Sequence, residues 1–197
     1  MTADPGTGQP ATVQPGTGQP GTGPQTIVRT LTSLGQTVAV AESLTGGLVA
    51  AALTSVPGSS AVFLGGIVAY ATGLKVALLG VPAGLLAEHG PVHPDVAAAM
   101  AAGVRDRLGA TYGLATTGVA GPGPADGQPA GTVFVAISGP GTAAVAGLKL
   151  SGDRAQVRAA SVEAVLSLLV SAMAEDISRL QCYERVNTLQ RPLPHGP

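Results

Sequence analysis

Thr37-Val38-Ala39-Val40-Ala41-Glu42-Ser43-Leu44-Thr45-Gly46-Gly47 leads straight into the apolar run at residues 48–55. Residues 37–41 are short, apolar and partly β-branched, the composition of a buried strand. Two glycines then mark a turn, and residues 48–55 read as a helix. Strand, tight turn and helix form the unit from which layered α/β sheets are assembled.

The same alternation continues in both directions. Residues 26–34 read as a helix stopped by Gly35, and 66–70 as a strand. Residues 72–79 and 83–89 read as short helices, each followed by the glycine that commonly ends one. Residues 94–108 form a longer helix, with Pro94 in its first turn and Asp95 near the positive end of its dipole. A strand follows at 112–116. Residues 118–131 hold five glycines and three prolines in fourteen positions and read as a loop. Strands at 132–137 and 143–150 flank the turn Gly139-Pro140-Gly141, and a terminal helix covers 154–180. The pattern predicts a single layered α/β domain over 25–181, its mixed β-sheet flanked by helices. Before it, residues 1–24 repeat Pro-Gly-Thr-Gly-Gln-Pro at 5–10 and 15–20 and read as a flexible tail. Residues 182–197 read as a C-terminal extension, polar and proline-rich from about Asn187.

Of the 197 residues, 45% are hydrophobic and 11% charged, so the chain has the material for one core. A net charge of −1 argues against a basic nucleic-acid surface, and 3% aromatics argue against a base-stacking platform. The single cysteine, Cys182, excludes an internal disulfide and reads as a packing residue. The most apolar stretch, 159–173, is interrupted by Ser161, Glu163, Ser167 and Ser171 and falls short of the roughly 20 residues a bilayer requires. No signal-peptide pattern opens the chain. The expected setting is the cytoplasm, without membrane or nucleic-acid partners.

Four places carry candidate chemistry. Ser43 sits between strand and helix, where it reads either as a helix cap or as a nucleophile beside free N–H groups. Lys75 is one of two lysines against eight arginines. It reads either as a solvated residue or as an amine retained because lysine, unlike arginine, can lose its proton when desolvated. The loop from Thr117 and Gly118 through Gly121 reads as a flexible connection or an anion cradle; it matches neither a Walker loop nor a dinucleotide fingerprint. Arg154 and Arg158 open a helix against its dipole, which suggests a phosphate grip or a local ion pair. His89 and His93, separated by Gly90 and Pro91, do not share a regular helical face, and no metal site is expected from them.

Together these stretches resemble the family of the CinA C-terminal domain, also found alone as nicotinamide-nucleotide amidase. The resemblance rests on Ala41-Glu42-Ser43-x-Thr45-Gly46-Gly47, Gly58-Ser59-Ser60, Gly65-Gly66-x-x-x-Tyr70-x-x-x-x-Lys75, Thr117-Gly118-Val119-Ala120-Gly121-Pro122, Pro129-x-Gly131-Thr132-Val133 and Gly152-Asp153-Arg154-x-x-x-Arg158. It implies hydrolysis of the carboxamide of nicotinamide mononucleotide, without metal or cofactor. The implied catalytic set is Ser43 as nucleophile with Tyr70 and Lys75 sharing the proton relay. N–H groups near Thr45, Gly46 and Gly47 would face the oxyanion. Thr117, Gly118, Gly121, Arg154 and Arg158 would hold the nucleotide's ribose and phosphate. It also implies a homo-oligomer. The chain departs from the family pattern at Leu44, Gly73, His93 and Gln128. At His93 a serine N-cap is usual, and its loss is expected to cost about 1 kcal/mol. These departures leave a second expectation open, a nucleotide-binding protein without turnover.

Overall fold

A computed structural model describes residues 23–189. The proposed tail lies outside them except for its last two residues. Residues 190–197 of the proposed extension and the side chain of Cys182 also lie outside. In chain order the elements are α1 (Pro24–Leu34), β1 (Val38–Glu42), α2 (Leu48–Thr54), β2 (Phe63–Val68), α3 (Thr72–Leu79), α4 (Ala83–His89), α5 (Pro94–Leu108), β3 (Tyr112–Gly118), β4 (Thr132–Ser138), β5 (Ala143–Lys149) and α6 (Arg154–Leu189). A single 3₁₀ turn at Ser59–Ala61 precedes β2.

The sheet has five strands in the order β2-β1-β3-β4-β5. β1 runs parallel to β2 and to β3, while β4 is antiparallel to both of its neighbours. β4 is therefore the one strand that runs against the other four. The carboxyl ends of β1, β2, β3 and β5 meet at one end of the sheet. In open α/β sheets this is the end at which ligands bind.

Period-two alternation sorts the core into two layers. Val38 and Val40 of β1 and Tyr112 and Leu114 of β3 face α1, α2 and α6. Ala39, Ala41 and Ala115 face α3 and α5. The second face is built from small residues, so α5 lies close against it. A Cβ on Gly113 would meet the Ala101 carbonyl oxygen at 2.1 Å, and one on Gly103 would meet that of Leu79 at 1.9 Å. This face therefore leaves no room for a side chain at Gly103 or Gly113. The stretch Arg154–Arg179 of α6 is long and apolar enough to cross a membrane. Here its Val157, Ser161, Val165 and Leu169 are buried within the domain. Its far part is tied down by the buried Tyr112 Oη, which donates to Asp176 Oδ2 at 2.8 Å. Burial and the adjacent Asp176 carboxylate push the Tyr112 phenol well above its ordinary range.

Several expected boundaries move. β2 occupies 63–68 in place of 66–70, because its glycines belong to the strand: a Cβ on Gly66 would stand 2.6 Å from Val40 Cγ2. β1 ends one residue later than expected, at the buried Glu42. β3 continues to Gly118 through its pairing with β4. α6 runs to Leu189, past the expected end at residue 180.

Candidate active site

The site grows from the turn after β1. Glu42 ends the strand fully buried, and its carboxylate caps α2. Oε2 accepts from the Gly47 and Val49 N–H groups at 2.8 and 3.1 Å, and Oε1 accepts from that of Ala50 at 2.9 Å. A carboxylate on the first N–H groups of a helix is favoured by both hydrogen bonding and the helix dipole. The cap of α2 is therefore Glu42 and not Ser43, because the carboxylate already takes the donors that a serine cap would need.

Ser43 is held by its own N–H, which donates to Thr116 O at 3.0 Å. Its hydroxyl meets Lys75, which reaches in from α3. Lys75 Nζ donates to Ser43 Oγ at 3.2 Å and to Ala69 O at 2.9 Å. The lysine is 1% exposed, so the solvated reading fails. Burial lowers its pKa from the usual value, and the Asp126 carboxylate partly opposes that fall. A buried amine on a serine hydroxyl is the arrangement of an activated nucleophile.

Ser43, Leu44, Tyr70, Gly118, Gly121, Asp126 and Arg154 line a cleft of about 280 Å³ at the carboxyl ends of the strands. Its size is at the lower edge of the roughly 300–1,000 Å³ usual for small-molecule sites. A larger hollow of about 580 Å³ lies between the end of α3 and α5, but neither Ser43 nor Lys75 lines it. Tyr70 is 60% exposed, and its hydroxyl accepts from Arg154 Nη2 at 3.0 Å. It makes no hydrogen bond to Ser43 or Lys75 among the described residues, so the expected three-way relay is not joined through Tyr70. Arg154 also donates through Nη1 to Gly121 O at 3.0 Å.

Other expected ligand contacts turn out to be internal. Arg158 donates from Nε to Leu44 O at 3.1 Å and from Nη2 to Thr45 O at 2.8 Å. It clamps the nucleophile turn and does not line the cleft. Thr45 is fully buried, with its hydroxyl 2.7 Å from that of Thr116. Thr117 donates to Pro91 O at 2.7 Å and is likewise buried away from the cleft. Gly46 and Gly47 adopt left-handed backbone at φ 59° and 100° and shape the turn. The Gly46 N–H donates to Ser43 O and that of Gly47 to Glu42, so the expected oxyanion donors at 46–47 are occupied. Among the described residues, the Leu44 and Thr45 N–H groups are the ones on this turn without an acceptor.

The expected loss of a cap at His93 is also corrected. His93 Nδ1 accepts from the Asp95 N–H at 3.3 Å, so histidine supplies the cap of α5. His89 and His93 do come together, with ring centroids 4.2 Å apart and planes within 10°, and Asp95 close by. The turn through Gly90 and Pro91 thus brings together two rings that share no helical face, with ligand atoms of His89, His93 and Asp95 within 4.8 Å of one another. Of the remaining departures, Leu44 packs into the core beside α2, a Cβ added at Gly73 would meet nothing within 4 Å, and Gln128 closes a turn with Ala125 through backbone bonds. Sequence reasoning missed the roles of Glu42, Thr116 and Asp126. Only Asp126 left a local signal, the Asp-Gly pair that favours left-handed turns.

Residues 22–173 match the family model of the CinA C-terminal domain. A CinA-like protein of Frankia casuarinae is 52% identical over 148 residues, which are 75% of this chain and 34% of that protein. A CinA-like protein of Myxococcus xanthus is 49% identical over 147 residues, 73% of this chain and 34% of its own. The chain thus spans about a third of the length of these curated relatives. Among solved structures, the competence/damage inducible protein CihA of Agrobacterium tumefaciens superposes with a TM-score of 0.73 at 36% identity, covering 75% of this chain and 92% of that one. A CinA superfamily protein of Klebsiella pneumoniae does so with a TM-score of 0.74 at 33% identity, covering 77% and 96%.

Proposed function

The chain belongs to the CinA C-terminal domain family, and from that premise we propose that it hydrolyses the carboxamide of nicotinamide mononucleotide to nicotinic acid mononucleotide and ammonia. The observation that carries this reading is the buried Lys75 amine 3.2 Å from Ser43 Oγ at the cleft. Desolvation favours the neutral amine, which is the form that accepts a proton.

In this mechanism Ser43 Oγ attacks the carboxamide carbon as its proton passes to Lys75 Nζ. The carbonyl oxygen gains the negative charge, and the N–H of Leu44, which lines the cleft, is the donor we assign to it. Lys75 then returns the proton to the amide nitrogen, the C–N bond breaks and ammonia leaves. Water attacks the resulting ester, passing its proton through Lys75 to Ser43 Oγ, and the carboxylic acid departs. Arg154, at the cleft mouth, binds the phosphate, and the Gly118–Gly121 backbone borders the ribose. Arg158 acts through the turn it holds. The departures from the family pattern leave Ser43 and Lys75 in place, which favours turnover over the silent binding protein.

The reading includes self-association in the cytoplasm. It is supported by Leu64 and Val68 on edge strand β2, each nearly half exposed. Gel filtration at micromolar concentration should show more than one 19.2 kDa chain per particle; a monomer would remove that part. The test of the reaction is ammonia release from nicotinamide mononucleotide by the parent protein and Ser43→Ala, with a chelator present. Turnover by the parent alone is the expected result. Equal turnover by both would clear Ser43, and bound nucleotide without turnover in either would establish the silent protein.

A further inference from the structure

Asp126 is a charge in the cleft that the amidase steps leave unused. It lies in the turn 125–128, closed by reciprocal backbone bonds between Ala125 and Gln128 at 3.1 and 2.9 Å. It is the one described non-glycine residue with positive φ, at 50°, and Gly127 follows at 71°. Two successive left-handed residues favour Asn-Gly or Asp-Gly, so the turn alone would accept either amino acid. The carboxylate is what distinguishes them. It lines the cleft with Ser43 and Tyr70, and Arg154 is the other charged residue of that lining. Asp126 forms no ion pair among the described residues, since the Arg154 guanidinium bonds to Gly121 O and Tyr70 Oη.

One cleft lining thus holds an unpaired anion and a cation beside the nucleophile's residue. We propose that Asp126 selects amides borne on a positively charged heteroaromatic ring, such as an N-substituted pyridinium, over the same amide on a neutral ring. This rests on the amidase reading and extends it to the charge state of the substrate. Burial disfavours the Lys75 ammonium, which reduces its repulsion of a bound pyridinium. Asp126 also holds up the Lys75 pKa against burial, which links the two groups across the cleft.

The test compares nicotinamide mononucleotide with its 1,4-dihydro form, which keeps ribose, phosphate and carboxamide but has a neutral ring. Binding is measured by calorimetry on the full chain carrying Ser43→Ala, with and without Asp126→Asn. The parent should bind the cationic form about tenfold tighter, as expected of one short-range charge interaction near a surface. Asp126→Asn should abolish that preference while leaving the affinity of the neutral form unchanged. A preference that persists in Asp126→Asn, one absent from the parent, or failure of both ligands to bind would overturn the proposal. In the Ser43-intact protein, Asp126→Asn should move the rising limb of the kcat/KM profile to lower pH, and an unmoved limb would count against it. Absence of ammonia release by the parent would fell the amidase reading separately, since the binding arms need no turnover.

Discussion

Glu42→Gln is the substitution that most directly probes how the nucleophile turn is built. Gln has the same shape but offers one acceptor oxygen where Glu42 offers two. With its carbonyl in the Oε2 position, the bonds from Gly47 and Val49 survive in neutral form, and the side-chain NH₂ faces the Ala50 N–H. Two charge-assisted bonds are weakened, by roughly 0.5–1 kcal/mol each, and one donor is left unmatched at about 1–3 kcal/mol. The sum is about 2–5 kcal/mol. For a domain of this length each kcal/mol shifts Tm by roughly 2–4 °C, so Glu42→Gln should melt roughly 4–20 °C below the parent. Urea denaturation followed by circular dichroism gives the free energy, and a thermal melt gives the second reading. A change below about 0.5 kcal/mol, the usual scale of inconsequential surface substitutions, would refute the assignment of Glu42 as the cap of α2.

Three further outcomes follow from the same geometry. Lys75→Met should abolish ammonia release yet raise stability at pH 7, because the native state disfavours the buried ammonium. The native Lys75 pKa lies below the usual 10.5. In that window the unfolded chain binds more protons, so the parent gains stability as pH rises and the advantage of Lys75→Met shrinks; urea melts at pH 7 and 10 check this. Arg158→Ala should lower kcat at least tenfold with little change in KM, since it loosens the turn at Leu44 and Thr45 without touching the cleft; a rise in KM alone would restore it as a ligand-binding residue. Thr117→Val should leave KM unchanged and cost about 1 kcal/mol in chemical denaturation through the bond lost to Pro91 O.

What could be read in advance divides by the range of the interaction. α3, α4 and α5 end at Gly80, Gly90 and Gly109, a local signal written within a turn of each helix. The start of β2 at Phe63, ahead of the expected residue 66, is set by its pairing with β1, and Val40 is what requires a missing side chain at Gly66. The same division holds in the site. Ser43 and Lys75 stand 32 residues apart, and nothing local announces their contact; the family resemblance paired them. The resemblance assigns Arg158 and Thr117 to the ligand, and an arginine opening a helix against its dipole adds to that expectation for Arg158. Their partners, Leu44 O, Thr45 O and Pro91 O, are distant carbonyls that no local pattern reveals. Glu42 stands just past the expected strand, and its role emerges only with the α2 N–H groups that its carboxylate meets.

The direction of β4 divides the molecule into a working end and a spare one. Because the other four strands all deliver their carboxyl ends to the cleft, the link from β4 to β5 must turn at the opposite end, beside Gly113 and not Gly118. That link, Gly139 to Thr142, is the natural attachment point for a reporter. A fluorophore or an inserted peptide there would ride on the sheet's rigid frame a full strand length from the chemistry. The cleft and such a handle are thereby separable by design.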